Sequence, residues 1–324
     1  MINIVGLGPG DKDALTIGAM NALKSSLHIY LRTEKHPVVE YLKNIGIKFE
    51  TFDSIYDNSK NFDEVYENIS KKLIEEYKKY GDIVYAVPGH PEVAEKSVKL
   101  LINFCRKNKI ETRIVPAVSF IDVLMERLNI DAVDGIKVID AFDIKNQVLD
   151  KRNGLIITQV YNRLIASEVK IALMDYYKDD TFVYFIRAAG IRNMESIRKI
   201  PIYEIDRQKD IDHLTSVYVP ESNNEPKDFF DLVSMVKKLR SEDGCLEDMN
   251  KTHKSLENNL AEENSKLIHA IDKDDNDEMV EELGDILYQI VFHAQIGREE
   301  GFFDINEVIE EICGKMIKVH PHIF

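Results

Sequence analysis

The stretch INIVGLGPGD, residues 2–11, decides the fold of the first half of the chain. A short run rich in apolar residues, 2–5, is typical of a buried strand, and three glycines with Pro9 follow it at once. Glycines let the backbone turn tightly and approach a ligand closely. The stretch is neither a Walker loop, which needs a closing Lys and Ser or Thr, nor a GxGxxG motif. It predicts a strand followed by either a ligand-binding loop or a plain tight turn.

Strand and helix patterns alternate over the first 220 residues. Strands are predicted at 2–5, 28–31, 83–87, 112–115, 155–159, 181–186 and 216–219. Helices are predicted at 19–24, 64–80, 93–107 and 166–176. This alternation predicts an α/β fold whose sheet is covered on both faces.

Two more loops carry proline or glycine directly after a predicted strand, VPGHP at 87–91 and VPAVSF at 115–120. In open α/β sheets, ligands bind beyond the carboxyl ends of the strands. We therefore expect these loops and the first glycine loop to converge on one ligand site.

The pattern changes after residue 220. Residues 221–228, ESNNEPKD, are polar without apolar periodicity and predict a linker. From Phe229 onward, apolar residues recur every three to four positions, which predicts a module of four amphipathic helices. The expected organisation is an α/β domain at 1–220, a linker at 221–228 and an all-α domain at 229–324.

Charge and composition exclude several classes of protein. The chain has 57 acidic and 42 basic residues, a net charge of −15, so we expect no nucleic-acid partner. It has no basic leader and no run of eighteen apolar residues, which predicts a cytoplasmic protein with no membrane partner. Cys105, Cys245 and Cys313 form no CxxC pair, so reduced thiols are expected.

Six motifs of the first domain together resemble the tetrapyrrole (corrin/porphyrin) methylase family. They are GLGPGD (6–11), PGHP (88–91), PAVS (116–119), VYNRLIASEVK (160–170), AAG (188–190) and LTSVYVP (214–220). The resemblance implies two α/β lobes that bind S-adenosylmethionine between them and transfer its methyl group to a small-molecule acceptor in an adjoining trough. Many members carry Gly-Asp-Pro where this chain has Gly89-His90-Pro91, a departure that bears on the acceptor more than on the donor.

The same resemblance implies a set of cofactor-binding residues. They are Gly8, Pro9, Gly89, His90, Val93, Ser119, Phe120, Ala189 and Thr215. Gly8 and Pro9 would border the acceptor trough, and the others would touch the methyl donor, mostly through main-chain atoms. Because alignment of donor and acceptor supplies much of the catalysis of methyl transfer, no catalytic side chain is assigned.

Two acidic clusters mark the helical module, Glu262 with Glu263 and Glu281–Glu282 with Asp285. Glu282 and Asp285 are three positions apart, so both carboxylates leave one helix face and could bind one divalent cation. A solvated acidic face has the same spacing.

Three strings of this module are similar to the MazG nucleoside triphosphate pyrophosphohydrolases: LRSEDGC (239–245), EELGDILYQIVFHAQIGREEGFFDINEV (281–308) and KVHPHIF (318–324). The resemblance implies a nucleoside triphosphate substrate and Mg²⁺ held by Glu263, Glu282 and Asp285. Lys266 stands where the family has a fourth carboxylate, and Glu262 is the alternate ligand.

The whole pattern is similar to YabN-like fusions of these two families, and three functions follow as hypotheses. The first is a methyltransferase attached to a pyrophosphohydrolase-type module that is weakened or inactive. The second is an active Mg²⁺-dependent pyrophosphohydrolase with a non-catalytic methylase-like domain. The third is a non-catalytic ligand-sensing scaffold. The amphipathic helices and the family resemblance also predict a homodimer.

Overall fold

The computed structural model describes residues 1–59, 61–222 and 224–324. It divides the chain into two compact units, Met1–Glu225 and Pro226–Phe324. The predicted α/β fold of the first part and the all-helical second part are both confirmed.

The predicted linker at 221–228 is partly packed onto the first unit. Glu225 is buried, and its carboxylate accepts hydrogen bonds from the backbone N–H of Lys178 and from the Thr181 hydroxyl, both at 2.9 Å. Asn223, in the same stretch, lies outside the described residues.

The first lobe of Met1–Glu225 is built on a parallel sheet. Its strands are β1 (Ile2–Gly6), β2 (Ile29–Leu31), β3 (Glu50–Thr51), β4 (Ile83–Val87) and β5 (Thr112–Val115). Its helices are α1 (Ile17–Ser25), α2 (Val38–Asn44), α3 (Asp53–Asn58), α4 (Phe62–Tyr80), α5 (Lys96–Lys107) and α6 (Phe120–Leu128). The strand order is β3-β2-β4-β1-β5 and every pair is parallel, so all carboxyl ends lie at one edge.

Helices cover both faces of this sheet, as its apolar strands require. Along β4, Ile83, Tyr85 and Val87 belong to one hydrophobic cluster, whereas Val84 and Ala86 belong to another on the opposite face. Successive side chains of a strand point to opposite faces, so a strand that is apolar throughout needs two covering layers.

The second lobe has a mixed sheet. Its elements are β6 (Ile136–Asp140), β7 (Gly154–Thr158), α7 (Arg163–Met174), β8 (Phe182–Arg187), β9 (Ser196–Pro201) and β10 (Thr215–Val219). The order is β6-β7-β10-β8-β9, with β6 parallel to β7 and the other pairs antiparallel. The sequence patterns did not predict β3, β6 and β9, which are the two-residue edge strand of the first sheet and both edges of the second.

The second unit, Pro226–Phe324, is helical. Its helices are α8 (Phe229–Leu239), α9 (Leu246–Met249), α10 (Glu257–Lys273), α11 (Asn276–Glu300) and α12 (Ile305–Val319). Capping boxes begin α8 at Asp228 and α12 at Asp304, and Gly301 ends α11 in the left-handed conformation. A small core joins α8 to α11 through Val236, Phe292 and neighbouring side chains. Across the described ranges, no helix is both long and apolar enough to cross a membrane.

Candidate functional site

The two glycine loops that follow β1 and β4 are joined to each other. The N–H of Gly89 donates to the carbonyl of Gly8 at 2.8 Å, and the N–H of Gly8 donates to the carbonyl of Gly89 at 3.2 Å. Both residues have positive φ, +71° and +66°, which favours glycine. Two of the loops expected to converge therefore form one backbone unit at the carboxyl edge of the sheet.

The third loop, at 115–120, packs against the two joined glycine loops. A Cβ on Gly6 would lie 2.4 Å from Ala117 Cβ and 2.4 Å from the Gly89 carbonyl, so only glycine allows this approach. The hydroxyl of Thr16 donates to the Pro116 carbonyl at 3.0 Å and ties α1 to the loop. The structure thus brings all three loops together.

Ser119 and Phe120 lie at the start of α6, next to Gly89. Ser119 caps the helix, and its own N–H donates to Asp122 at 2.7 Å, which forms a capping box. Phe120 Cδ1 lies 3.9 Å from the position that a Cβ on Gly89 would take, and outside Pro88 to His90 no other atom of the described residues is within 4 Å of it. A ligand that approaches Gly89 therefore meets open space bordered by an aromatic ring.

His90 and Val93 shape the turn after β4. His90 Nδ1 accepts a hydrogen bond from the N–H of Glu92 at 3.1 Å, and the His90 carbonyl accepts from the N–H of Val93 at 3.0 Å. The imidazole of His90 thus takes part in the local turn.

Ala189 and Thr215 belong to the second lobe and lie at ends of its neighbouring strands β8 and β10. Ala189 packs against the same hydrophobic cluster as Phe120, and this cluster includes Leu124 of α6 and Ile186 of β8. Thr215 is buried, and its hydroxyl accepts from the N–H of Asp212 at 2.9 Å. Ala189 therefore borders the contact between the lobes, and the hydroxyl of Thr215 is bonded within the second lobe.

A cavity of about 460 Å³ opens between the lobes beside the Gly8 loop. Its lining comes from the loop after β2, from α2 and from the second lobe: Glu34, Lys35, His36, Pro37, Val39, Glu40, Lys43, Met194, His213 and Leu214. Apart from Leu214, which begins the LTSVYVP motif, the sequence patterns did not single out these residues. The expectation that ligands bind beyond the carboxyl ends of strands could have found four of them, residues 34–37, since RTEKHP at 32–37 directly follows a predicted strand.

A buried polar network supports the loop after β2. Arg32 Nη1 lies 2.6 Å from a carboxylate oxygen of Glu95, and Arg32 Nε donates to the Tyr56 hydroxyl at 2.7 Å. The Ser97 hydroxyl donates to the other oxygen of Glu95 at 2.7 Å and lies 2.8 Å from the hydroxyl of Tyr85. The Glu95 side chain is 2% exposed, so this ion pair is largely withdrawn from water.

Three carboxylates of the helical unit lie close together, and two of them, Glu282 and Asp285, were expected to do so from their spacing along the sequence. One oxygen each of Glu263 on α10 and of Glu282 and Asp285 on α11 lie within 4.8 Å of one another. Glu282 is 8% exposed, and its Oε2 has no hydrogen-bond partner among the residues that the structure describes. Burial, together with the neighbouring Glu263, raises the pKa of Glu282. Oxygen donors and an unpaired buried carboxylate oxygen fit a hard divalent cation such as Mg²⁺.

Lys266 lies one helical turn after Glu263 on α10, and its side chain reaches the carboxylate cluster. Its Nζ lies 3.0 Å from Glu263 Oε2 and 3.2 Å from Glu262 Oε1. The hydrogen bond from Lys266 lowers the pKa of Glu263, and the same contact raises the pKa of Lys266. Glu262 is exposed and is not one of the three converging carboxylates.

Comparison with known families matches both units. Residues 1–206 match the tetrapyrrole (corrin/porphyrin) methylases, and residues 251–324 match the MazG nucleotide pyrophosphohydrolase domain. Along its whole length the chain is 42% identical to the uncharacterized protein YabN of Bacillus subtilis and spans 66% of that protein. The C-terminal part is 53% identical over 96 residues to the nucleoside triphosphate pyrophosphohydrolase/pyrophosphatase MazG of Thermotoga maritima. This match covers 30% of this chain and 38% of that protein.

Solved structures show the same fold for the first unit. The uroporphyrin-III C-methyltransferase of Thermus thermophilus matches with a TM-score of 0.53 at 15% sequence identity. The match covers 71% of this chain and 98% of that enzyme. A cobalt precorrin-4 methyltransferase matches with a TM-score of 0.51 at 14% identity, covering 68% of this chain and 94% of its own.

Proposed function

The chain belongs to the tetrapyrrole (corrin/porphyrin) methylase family and carries a MazG nucleotide pyrophosphohydrolase domain at its C-terminal end, and from this premise we propose that it is an S-adenosylmethionine-dependent methyltransferase. The acceptor is a small molecule. The attached module has a pyrophosphohydrolase-type metal site that Lys266 weakens.

One observation carries the first half of this proposal, the reciprocal hydrogen bonding of Gly8 and Gly89 at the carboxyl edge of the sheet. The space beside Gly89, bordered by Phe120, receives the adenosyl group, with His90, Val93, Ser119, Ala189 and Thr215 around it. Gly8 and Pro9 face the acceptor side. Holding the sulfonium methyl and the acceptor in line supplies the rate enhancement, because methyl displacement needs alignment more than a nucleophilic side chain.

Calorimetric titration of the whole chain with S-adenosylmethionine tests this function. We expect a saturable heat with one donor bound per chain. No heat at ligand concentrations up to roughly 1 mM would remove the methyltransferase. Saturable heat without methyl consumption, in the presence of the small-molecule fraction of a bacterial extract, would favour the ligand-sensing scaffold instead.

The helical unit supports a second function, Mg²⁺-dependent hydrolysis of nucleoside triphosphates. Glu263, Glu282 and Asp285 would hold the cation, and the observation in its favour is the buried, unpaired Oε2 of Glu282. When bound, Mg²⁺ neutralises phosphate charge and activates water. Lys266 supplies a fixed positive charge beside Glu263, which repels a cation, and it also pairs with Glu262, the alternate ligand.

Pyrophosphate release from common and deaminated nucleoside triphosphates tests this second function. With Mg²⁺ present we expect slow release of pyrophosphate, which Glu282→Gln should abolish. Glu281→Gln, at the neighbouring exposed position of α11, is the matched control and should keep the rate. Equal rates for the two variants and the unsubstituted chain would contradict a role for the three-carboxylate cluster.

The exposed apolar faces of the helical unit fit a homodimer. Val280 and Leu283 of α11 are 73% and 53% exposed, and Ile309 and Ile312 of α12 are also exposed. A single chain leaves these helix faces in water, whereas a second copy would bury them. Light scattering should therefore give twice the chain mass of 37.3 kDa.

A further inference from the structure

The loop of residues 188–195, between β8 and β9, packs closely against the first lobe. A Cβ on Gly190 would lie 2.5 Å from Val123 Cγ1 of α6. A Cβ on Gly10 of the first glycine loop would lie 2.8 Å from Ile191 Cδ1, so both approaches depend on glycine. The loop of the second lobe therefore lies directly against α6 and against the first glycine loop.

The backbone of this loop is strained next to a residue that is predicted to touch the methyl donor. Ala188 has a φ of +52° and Gly190 has a φ of +72°, and Ala189 lies between them. Positive φ is ordinary for glycine but unfavourable for alanine. A strained turn persists only where the surrounding contacts hold it. The contacts of the loop therefore determine where Ala189 lies.

The carboxylate of Glu195 provides such a contact. Its Oε2 accepts a hydrogen bond from the backbone N–H of Gly190 at 2.5 Å and another from Arg127 Nε at 2.9 Å. Arg127 lies on α6, the helix that begins at Phe120 with Ser119 as its cap. Hydrogen bonds of charged groups are among the stronger ones in proteins. One carboxylate oxygen thus joins the loop of the second lobe to a helix of the first.

A second carboxylate shares the same guanidinium but joins no other element. Glu126 Oε1 lies 2.8 Å from Arg127 Nη1, and both residues belong to α6. The Glu126 side chain is 68% exposed, whereas that of Glu195 is 29% exposed. The contribution of Glu195 to the loop can therefore be separated experimentally from the effect of a surface ion pair with Arg127.

We propose that Glu195 is a positioning residue for the methyl donor, which holds Ala189 and Gly190 against α6 in a fixed position relative to Phe120. This inference rests on the proposed methyl transfer. Ala189 and Phe120 pack against one hydrophobic cluster, so a shift of the loop changes the space between them. Without the carboxylate the strained turn relaxes, and the arrangement that binds the donor is populated for only part of the time. The dissociation constant then rises by the inverse of the populated fraction.

Calorimetric titration with S-adenosylmethionine compares three variants of the whole chain. Glu195→Ala removes both hydrogen bonds, and we expect the dissociation constant of the donor to rise by about tenfold or more. Glu195→Gln keeps a side-chain oxygen for the N–H of Gly190 and should stay within about threefold of the unsubstituted chain. Glu126→Ala removes the other partner of Arg127 and should also stay within about threefold.

The outcomes separate this inference from the proposed function. If the unsubstituted chain binds the donor and Glu195→Ala binds it equally well, the role of Glu195 is overturned and the proposed function stands. A loss in Glu195→Gln or in Glu126→Ala as large as that in Glu195→Ala would also overturn the role of Glu195. If the unsubstituted chain binds no donor, the proposed function fails together with this inference.

Melting temperature distinguishes positioning of the donor from a general effect on folding. All three variants should melt within about 4 °C of the unsubstituted chain, because partly exposed ion pairs contribute little to stability. A larger fall confined to Glu195→Ala would assign Glu195 to folding and overturn the proposal.

Amide hydrogen exchange tests the loop without any ligand. In Glu195→Ala we expect exchange of the peptide that covers residues 188–195 to become faster by about tenfold or more, and in Glu126→Ala we expect it to stay unchanged. Equal exchange in the two variants would show that the carboxylate of Glu195 does not hold the loop, and would overturn the proposal.

Discussion

Lys266 Nζ lies 3.0 Å from a carboxylate oxygen of Glu263, inside the acidic cluster that α10 and α11 build together. An ammonium group has no lone pair with which to coordinate a metal, and its charge opposes that of a cation. We therefore expect the pairing of Lys266 with Glu263 to limit the proposed hydrolysis by the helical unit.

Replacing Lys266 with Glu should strengthen that activity. The change removes the repelling charge and adds an oxygen donor, so we expect Mg²⁺-dependent pyrophosphate release to rise by about tenfold or more. Lys254→Glu, an exposed site of the same unit, is the matched control and should leave the rate unchanged. A rate for Lys266→Glu equal to that of the control would show that Lys266 does not limit the site.

The burial of His36 predicts a pH dependence of stability. Its pKa is about 4 in the folded chain against 6.5 for an ordinary histidine, so below pH 6.5 the unfolded chain takes up the proton first. Stability is full above pH 6.5 and declines as pH falls toward 4, by about 3 kcal/mol at most. The melting temperature should therefore fall between pH about 7 and about 5, and it should fall less in His36→Gln, which has no histidine to protonate at this position. An identical loss in the two proteins would contradict the assigned pKa.

Breaking the buried ion pair between Arg32 and Glu95 should cost more unfolding free energy than breaking an exposed ion pair. Glu95→Gln leaves the Arg32 guanidinium without its buried counter-charge, and such changes cost about 3–5 kcal/mol of unfolding free energy. Glu67→Gln, which breaks the exposed pair with Lys71, should cost less than about 1 kcal/mol. Denaturant titration measures both, and comparable losses would mean that burial of Glu95 has no energetic consequence.

Sequence patterns predicted the parts of the fold and site that depend on local chemistry. Gly8, Gly89 and Ser119 could be located because positive φ and helix capping demand particular residue types directly after apolar strands. The edge strands β3, β6 and β9 were missed because β3 has only two residues, while β6 and β9 each have one buried residue among partly or fully exposed ones. An edge strand carries a weaker apolar pattern than a central one.

Features that join distant residues could not be predicted. Arg32 and Glu95 are 63 positions apart, and His253 and His293, whose Nδ1 atoms lie 2.7 Å apart in the helical unit, are separated by 40. The burial of His36 likewise depends on residues distant in the chain, since Met194 and His213 line the same cavity. The nine implied cofactor-binding residues remain a prediction until a ligand is bound.

Self-association of the helical unit should depend on its exposed apolar stripe. Leu283→Glu places a charge in the face that a second copy would cover, and we expect a shift from dimer to monomer in light scattering. Ile171→Glu on α7, an equally exposed apolar site of the first unit, should leave the mass unchanged. A dimer that persists in Leu283→Glu would place the interface elsewhere.

Binding of S-adenosylmethionine by the loops that Gly8 and Gly89 join can be tested by a paired calorimetric titration. Gly89→Met puts a side chain into the space beside Phe120, whereas Gly46→Met adds the same side chain at a similar positive φ, +80°, with no described atom nearby. We expect donor binding by the unsubstituted chain, an affinity within about threefold of it for Gly46→Met and a loss of affinity of at least about tenfold for Gly89→Met. Equal affinities for the two variants, or no binding by the unsubstituted chain, would contradict it.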